Sequence, residues 1–360
     1  MMVPAAVGLG VTLRVLARDG NDSAARVVRD VDLGDERDID ALRRFAKGCD
    51  VLTFDHEHVP TEHLRVLQGE GVVVRPDPDA LVFAQDKAAM RHRLAEAGMP
   101  CPRWQMVSTA EELRAFGDAA GWPVVLKTPR DGYDGKGVRV VANAGEGDDW
   151  LGRGQPLLVE QSVGFRRELA VVLARSPHGQ AAVYPVVETV QVDGVCREVL
   201  AAAPIDEDAA LSAQQIALHI AQALDVTGVL AVEMFETDDG VLVNELAMRP
   251  HNSGHWTIDG ARTSQFEQHL RAVLDLPLGA TTMTAPTVAM ANVLGGDHDD
   301  LYGAYLHCMA HDPAARIHMY GKQVRPGRKV GHVTVAGADA ADVRRRAQHA
   351  AAFLRGEADA

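Results

Sequence analysis

The stretch LAVEMFETDDGVLVNELAMRPHNSGHW, Leu230–Trp256, is the part of the sequence around which the fold is organised. Two runs within it, Leu230–Phe235 and Val241–Leu246, are rich in the apolar and β-branched residues that favour strands. A short turn with two aspartates and a glycine separates them, a pattern typical of a β-hairpin. We therefore predict a hairpin that leads directly into a polar loop.

The hairpin predicts a metal site. A turn centred near Asp239 places Glu233 and Glu245 opposite each other on neighbouring strands. Opposed side chains lie about 4.5–5.5 Å apart at Cβ, and like charges at that separation are destabilising. A divalent cation between them removes this repulsion, and carboxylate oxygens suit Mg²⁺ that is shared with the phosphates of a nucleotide. The alternative is solvated charge on an exposed face, but the polar run RPHNSGHW at 249–256 has no obvious packing role and favours an active site.

Length and composition limit the classes of protein. A chain of 360 residues is too long for one ordinary core and predicts two or three domains. The hydrophobic content of 47% and the charged content of 24% are typical of a soluble globular protein. The net charge of −14 argues against nucleic acid as a partner, because no basic surplus is present to neutralise phosphates.

The cysteines and the first residues indicate a cytoplasmic enzyme. The apolar start Met1–Leu16 has no preceding basic region and is interrupted by Arg14, so we expect neither a signal peptide nor a membrane span. The cysteines are far apart without a Cys-x-x-Cys pair, which favours reduced thiols over a disulfide framework or a zinc site. They are Cys49, Cys101, Cys196 and Cys308.

Strands alternate with helices near the start of the chain, which predicts a parallel α/β sheet. The expected strands are Val11–Leu16, Val51–Phe54 and Val72–Val74, and the expected helices are Asp38–Lys47 and Thr61–Glu70. Later helices are expected at Ala84–Ala97, Leu211–Leu224, Ser264–Leu274 and Asp339–Leu354. Later strands are expected at Pro123–Lys127, Val138–Val141, Pro156–Gln161, Glu168–Ala174, Ala182–Val190, Val195–Leu200 and Thr287–Leu294, and near Arg316–Tyr320 and Val330–Val335.

A glycine-rich segment, TPRDGYDGKG at Thr128–Gly137, lies between two expected strands. Its glycines allow backbone N–H groups to approach phosphate oxygens, although a tight hairpin turn explains the same composition. It is not a Walker A motif. The preceding Lys127 favours the phosphate interpretation, because a lone lysine at the end of an apolar strand needs an anionic partner.

A basic cluster is present near the end of this acidic chain. Pro326 and Gly327 predict a tight turn within it that brings the charges together. Arginine and lysine suit a phosphate monoester, while an ordinary exposed loop is the alternative. The cluster consists of Lys322, Arg325, Arg328 and Lys329.

The motif at residues 244–256 resembles the signature NELAxRxHNSGHW of the N5-carboxyaminoimidazole ribonucleotide synthase family, ATP-grasp ligases of purine biosynthesis. The resemblance continues through SQFEQHLRAVLDLPLG (Ser264–Gly279) and RPGRKVGHV (Arg325–Val333). It implies a fold of mixed α/β and α+β class, an ATP-grasp fold preceded by a truncated Rossmann-like domain. We expect that N-terminal domain at residues 1–83, a central ATP-grasp subdomain with a glycine-rich lid at 84–185, and a C-terminal subdomain with the metal and substrate sites at 186–360.

The resemblance also implies ligands for the nucleotide. Glu168 is expected to accept hydrogen bonds from the ribose hydroxyls, and Gln191 and Asn244 add further contacts. Backbone groups of Glu160, Gln161, Ser162 and Val163 are expected to contact adenine. The phosphates are assigned to Lys127 and to the loop residues Gly132, Tyr133, Asp134, Gly135, Lys136, Gly137 and Val138. The family's other basic contact falls at Phe83 here and is not carried over, and Lys87 is interpreted as a solvated helix residue.

The remaining roles concern the metal and the second substrate. Glu233 and Glu245 are expected to bind Mg²⁺, or alternatively Mn²⁺, and Arg249 to stabilise an anionic intermediate. His251 and Asn252 are expected to orient the imidazole, with Tyr133 beside it and Asp134 as the candidate proton acceptor. The 5′-phosphate of the ribonucleotide is assigned to Lys322, Arg328 and Lys329.

The implied reaction uses ATP and bicarbonate to carboxylate aminoimidazole ribonucleotide, in a homodimer. Family members ordinarily open with a strand and a glycine-rich turn of the form GGGQL, and this sequence starts after that point. A nucleotide-binding remnant without activity is therefore one alternative. Another ATP-grasp carboxylase is the second, and the HNSGHW loop argues against it.

Overall fold

The computed structural model describes residues 1–130, 132, 135–296 and 301–357. The helices in these ranges are α1 (Met2–Leu9), α2 (Ile39–Ala46), α3 (Thr61–Gly69), α4 (Pro78–Gln85), α5 (Lys87–Glu96), α6 (Ala110–Ala120), α7 (Asp148–Leu151), α8 (Glu207–Ala223), α9 (Thr257–Gly260), α10 (Gln265–Val273), α11 (Tyr305–His311) and α12 (Ala340–Leu354). Among the described residues, none of these helices combines the length and apolar character that crossing a bilayer requires.

The strands form three sheets in the described part of the chain. They are β1 (Arg14–Ala17), β2 (Asp30–Leu33), β3 (Trp104–Val107), β4 (Val124–Lys127), β5 (Val138–Val141), β6 (Leu157–Gln161), β7 (Arg167–Arg175), β8 (Ala181–Val183), β9 (Val187–Val192), β10 (Val195–Ala201), β11 (Gly228–Thr237), β12 (Gly240–Ala247), β13 (Thr287–Leu294), β14 (Arg316–Met319) and β15 (Lys329–Gly337).

The first sheet is small and parallel. Strands β1 and β2 pair in parallel, and the expected strands at 51–54 and 72–74 reduce to one parallel bridge between Leu52 and Val74. The polar residues from Thr53 onward leave the sheet for a loop, which shortens that strand. Helix α1 was not predicted; it ends at Gly10, whose φ of 68° gives a left-handed C-cap, and it packs on α10.

The second sheet has the order β3–β6–β4–β5 and is antiparallel. Helix α6 covers one face through Leu113 and Phe116, which pack with Val124 and Leu126 of β4. A capping box between Thr109 and Glu112 fixes the start of this helix. Lys127 therefore lies at the end of β4, a strand that is paired on one side with β5 and on the other with β6.

The third sheet is the largest, with the order β12–β11–β7–β9–β10–β13–β15–β14 and with β8 paired to β7. Helix α8 and the small N-terminal unit cover one face of its β7–β11–β12 part through residues such as Leu169, Val171 and Leu230. The opposite face has Ala170, Val172 and other small residues. Small side chains on that face leave room for the polar loop that follows β12.

The sequence predicted one continuous helix at Ala84–Ala97. This prediction is wrong, because Asp86 separates two helices, α4 and α5. The Asp86 side chain accepts hydrogen bonds at 3.0 Å from the backbone N–H groups of Ala88 and Ala89, and its backbone is extended. An aspartate that caps a helix in this way starts a new axis at the next residue. Lys87 is thus the first residue of α5 and not a mid-helix surface residue.

His269 of α10 joins the N-terminal unit to the large sheet. Its Nδ1 accepts a hydrogen bond from the Val229 N–H at 3.1 Å, and its Nε2 lies 2.7 Å from Thr53 Oγ1. Since Nδ1 accepts, the ring proton resides on Nε2 and the imidazole is neutral. Complete burial lowers the pKa of His269 to about 4.

This buried imidazole predicts an acid-sensitive contribution to stability. The unfolded chain protonates His269 near pH 6.5 while the folded chain stays neutral until about pH 4, so stability falls as the pH drops through that window, by up to about 1.4 kcal/mol per pH unit. His269→Asn, which does not titrate, should give a shallower decline of the free energy of unfolding in urea between those pH values. His219→Asn, at an exposed position of α8, is the control; equal slopes for wild type and His269→Asn would contradict the assignment.

Candidate active site

The predicted hairpin register is confirmed. Glu233 of β11 pairs with Glu245 of β12 across the antiparallel ladder, and the turn lies at residues 238 and 239. Glu168 of β7 pairs with Phe235, two residues along from Glu233, so that all three carboxylates lie on one face of the sheet. This face of the sheet therefore has three acidic groups on three neighbouring strands, with Glu168 diagonal to Glu233.

A β-bulge adds a fourth polar group to this face. The pairing shifts between Glu233 and Met234, which leaves Asn244 as an extra residue on β12. Val243 before the bulge and Leu246 after it both point into the core beneath the sheet. Asn244 and Glu245 therefore lie together on the opposite, acidic face, although adjacent residues of a regular strand point to opposite faces.

The electrostatics of this face favour a bound cation. Burial, together with the charges of Glu245 and Glu168, raises the pKa of Glu233 to about 7. The repulsion that raises this pKa becomes attraction when a divalent cation is present. Hard carboxylate oxygens on neighbouring strands fit Mg²⁺ or Mn²⁺, and Glu233 and Glu245 are the residues that would hold the ion.

Lys87 lies at this site, and its interpretation as a solvated residue is wrong. Its ammonium group pairs with Glu245, and only 12% of its side chain is exposed. The cap at Asp86 explains the difference, because it turns the first residue of α5 toward β12. The backbone N–H of Lys87 also donates to Pro129 O at 2.9 Å, which ties α5 to the start of the glycine-rich segment.

A buried charge network fixes Lys127. Its Nζ lies 2.7 Å from Glu160 Oε2 and donates to Asn244 Oδ1 at 3.1 Å. The Arg91 Nε donates to Glu160 Oε1 at 2.6 Å, and Arg91 Nη2 donates to the Asn244 carbonyl at 2.7 Å. Burial would raise the pKa of Glu160, but the charges of Lys127 and Arg91 hold it below its usual value. Both carboxylate oxygens of Glu160 are thus paired with cationic side chains, so only its backbone groups remain for a contact with a nucleobase.

The glycine-rich segment closes tightly on itself. Thr128 N–H donates to Gly137 O at 2.9 Å, and a Cβ on Gly137 would lie 2.4 Å from Thr128 Oγ1. Gly135 and Gly137 have φ near +75°, which residues with a side chain rarely adopt. The expected site residues Tyr133 and Asp134 lie outside the described residues. Gly132 and Lys136 lie in the segment, and Val138 follows it as the first residue of β5. A Cβ on Gly132 would lie 3.9 Å from the Lys87 side chain, so this part of the segment is next to the site.

Two of the predicted nucleotide ligands, Glu168 of β7 and Gln191 of β9, are neighbours. The Glu168 carboxyl is hydrogen-bonded to Gln191, and burial raises its pKa. Gln161 ends β6, and Ser162 and Val163 follow it as half-buried residues of the connection to β7. This connection joins the second sheet to the third, which is where the sequence placed the adenine contacts.

The loop after β12 is rigid because its polar groups are paired. Gln265 of α10, which sequence reasoning missed, accepts from His251 N–H at 2.8 Å and donates to His251 O at 2.7 Å. The amide of Asn252 exchanges two hydrogen bonds with the buried Asn292 of β13. His251 Nε2 lies 3.6 Å from Glu233 Oε1, and burial with nearby Arg249 and Lys329 lowers the pKa of His251 well below its usual value. A neutral imidazole therefore faces the acidic site.

Glu57 was also missed, and it anchors the start of this loop. Its Oε1 accepts from Met248 N–H at 2.9 Å, and its Oε2 accepts from Arg249 Nε at 2.9 Å. Glu57 follows Leu52 in the N-terminal unit, and no local pattern reveals a contact with a residue nearly 200 positions away. The carboxylate positions the guanidinium that the sequence assigned to an anionic intermediate.

The basic cluster lies on the loop between β14 and β15, and only part of it reaches the carboxylates. Arg328 N–H donates to Arg325 O at 3.0 Å and Gly327 has a φ of 74°, which confirms the tight turn. Lys322 lies over the Tyr320 ring at 5.2 Å. Lys329, at the start of β15, is close enough to lower the pKa of both Glu233 and His251. It therefore connects the exposed cluster to the acidic face.

Comparisons with known proteins agree with this arrangement. Family models match for a ribonucleotide synthetase preATP-grasp domain at residues 1–85, an ATP-grasp domain at 92–266 and a phosphoribosylaminoimidazole carboxylase C-terminal domain at 288–346. N5-carboxyaminoimidazole ribonucleotide synthase of Mycobacterium tuberculosis is 53% identical over 359 residues, covering 97% of this chain and 84% of that protein. The chain belongs to the N5-carboxyaminoimidazole ribonucleotide synthase family.

Solved structures of the same family give the same fold. The synthetase from Thermus thermophilus is 36% identical with a TM-score of 0.88, and the match covers 100% of this chain and 96% of that one. The Aspergillus clavatus synthase in complex with ADP and 5-aminoimidazole ribonucleotide is 32% identical with a TM-score of 0.89, covering 98% and 95%. The predicted ATP-grasp fold with a preceding Rossmann-like domain is thereby confirmed.

We predict that Glu57→Gln lowers turnover more than it lowers stability. The amide keeps an acceptor for Met248 but turns an N–H toward Arg249, and a hydrogen bond to a charged group contributes about 1.5–3 kcal/mol. The value of kcat should fall about 10- to 100-fold. The thermal midpoint should fall by only several degrees, because the amide keeps its hydrogen bond to the Met248 N–H. Steady-state kinetics and thermal melts measure both, with Glu62→Gln on the exposed face of α3 as control. An unchanged kcat would remove Glu57 from the positioning of Arg249.

Proposed function

We propose that this protein carboxylates 5-aminoimidazole ribonucleotide to N5-carboxyaminoimidazole ribonucleotide, using ATP and bicarbonate through carboxyphosphate, in de novo purine biosynthesis. The observation that carries the proposal is the acidic face of the hairpin, with Glu233 opposite Glu245. Lysines from two other elements adjoin it, Lys87 and Lys127. The names of the relatives, including a structure with ADP and 5-aminoimidazole ribonucleotide, support the same substrates.

At the nucleotide end, the residues act by position and charge. Glu233 and Glu245 would hold a divalent cation, which would neutralise charge on the phosphates. Lys127, held by Glu160 and Asn244, directs its ammonium group toward the same space and favours charge that develops as the phosphoryl group moves to bicarbonate. Glu168 and Gln191, already hydrogen-bonded to each other, suit the hydroxyls of a ribose.

At the ribonucleotide end, the paired loop provides orientation. His251 and Asn252 are fixed by Gln265 and Asn292, so their remaining polar atoms present a preformed surface to an imidazole. We assign the 5′-phosphate to Lys322, Arg328 and Lys329. Lys329 then lies between this phosphate and the acidic face, which sets the direction of the bound substrate.

Arg249, Tyr133 and Asp134 complete the assignment. Arg249, oriented by Glu57, favours the negative charge of carboxyphosphate. Tyr133 is assigned a place beside the imidazole, and Asp134 accepts the proton that the exocyclic amine loses when it captures the carboxyl group. Carboxyphosphate reacts readily with water, so the glycine-rich segment must cover the site during turnover.

The proposal includes three further features expected from the sequence. The chain is divided into units at residues 1–83, 84–185 and 186–360, with the nucleotide between the second and third. It functions as a homodimer in the cytoplasm. These features concern the domain division, the oligomeric state and the location of the protein. The chemistry described above depends only on the residues of one chain.

The first test is substrate-dependent formation of ADP. We expect ADP release with Mg²⁺, ATP, bicarbonate and aminoimidazole ribonucleotide together, and a large loss of rate when bicarbonate or the ribonucleotide is omitted. A coupled assay of ADP with each component omitted in turn measures this. Binding of Mg-ATP without phosphate release would favour a non-catalytic nucleotide-binding protein, and release that ignores the ribonucleotide would favour a different ATP-grasp carboxylase.

The second test is Glu245→Gln. Removing one carboxylate of the opposed pair should abolish turnover, because the cation loses a charged ligand, while the amide keeps a hydrogen bond to Lys87 and preserves the fold. Turnover and circular dichroism measure the two effects. Asp239→Asn, an exposed aspartate in the turn of the same hairpin, should retain activity and serves as the control. A Glu245→Gln variant with full rate would remove Glu245 from the metal site.

A further inference from the structure

Three histidines converge away from the acidic face, where α11 meets α12. His307 and His311 are one turn apart on α11, and His349 faces them from α12. Their ligand nitrogens all lie within 4.8 Å of one another. The proposed carboxylation uses none of them. They lie beside the hydrophobic cluster that includes Cys308, Ala350 and Leu354, and not beside the hairpin.

The separation of His307 and His349 fits a tetrahedral metal. His307 Nε2 and His349 Nε2 are 3.4 Å apart. Two nitrogens that bind one zinc ion at about 2.0–2.1 Å are separated by about 3.4 Å in tetrahedral geometry. Residues at i and i+4 of a helix project from the same face, as in known helical zinc-binding motifs, which accounts for His311. Its ring centroid lies 4.8 Å from that of His349.

The surroundings hold these rings in place. Phe353 stacks on His307 with centroids 3.6 Å apart and planes within 12°. Arg345, whose charge contributes to lowering the pKa of His349, forms an ion pair with Asp342, so its charge is compensated. A histidine–histidine hydrogen bond explains the His307–His349 pair alone, and it gives no reason for the third imidazole to reach the same point.

We propose that His307, His311 and His349 form a binding site for a divalent transition metal ion, with Zn²⁺ as the best fit. Imidazole nitrogens suit zinc, copper and nickel, whereas Mg²⁺ prefers the oxygens that this cluster lacks. His311 is exposed, which leaves water as the fourth ligand. The ion links α11 to α12, the helix that packs on β13 and β15.

The experiment uses the full chain and Zn²⁺ itself. Calorimetric titration in excess Mg²⁺ should give one zinc site that weakens in His311→Ala and in His349→Ala by more than the roughly 10- to 100-fold that loss of an outer-sphere partner costs. Cobalt added in place of zinc should give the visible absorption of a four-coordinate ion. His219→Ala, which removes an exposed histidine from α8, should bind as wild type does. The same series in a Glu245→Gln background separates this site from the hairpin carboxylates.

A second readout excludes a folding artefact. Zn²⁺ should raise the thermal midpoint of the wild type and of His219→Ala but not that of His311→Ala, whose exposed side chain can be removed without disturbing the core. Turnover of His311→Ala with Mg²⁺ should equal that of the wild type. Absence of a zinc site in the wild type, or equal zinc affinity and an equal cobalt spectrum in His311→Ala, would overturn the proposal.

Discussion

The buried guanidinium of Arg91 holds together the parts from which the acidic site is built. It pairs with Glu160 of the second sheet and donates to the carbonyl of Asn244 in the hairpin, while Glu160 binds Lys127 on its other oxygen. A charge in the interior costs several kcal/mol unless it is paired, so each member of this network requires the others. The relative placement of the second sheet, α5 and the hairpin is therefore set by electrostatics as well as by packing, and Lys127 is fixed beside Asn244.

This network also explains the separation of charge within the site. Arg91 and Lys127 together exceed the single negative charge of Glu160, so α5 and the second sheet together present net positive charge toward the hairpin. The hairpin presents the opposite: burial, together with the negative charges of Glu245 and Glu168, raises the pKa of Glu233 to about 7. An anionic substrate held by a divalent cation satisfies both sides at once. The arrangement therefore suits the binding of a phosphorylated nucleotide better than it suits a purely structural ion pair.

Sequence reasoning located the hairpin and its opposed glutamates because strand periodicity and a short turn are local signals. It did not predict the bulge at Asn244, whose side chain accepts a hydrogen bond from Lys127 of the neighbouring sheet. It treated Lys87 as solvated because helical spacing continues through Asp86, and only the cap reveals the break. Gln265 had a weak signal, since it lies with Gln268 and His269 on the buried side of an otherwise amphipathic helix, where polar residues need partners.

The N-terminal unit contributes to the site through two of its loops. The loop after Leu52, a residue that forms a parallel bridge with Val74, supplies Glu57, which orients Arg249. The segment after β1 supplies Arg26, whose guanidinium donates to Gly321 O at 3.2 Å in the loop that carries the basic cluster. The N-terminal unit therefore contacts both the residue assigned to the anionic intermediate and the loop assigned to the 5′-phosphate, and it fixes the two ends of the proposed ribonucleotide site relative to each other.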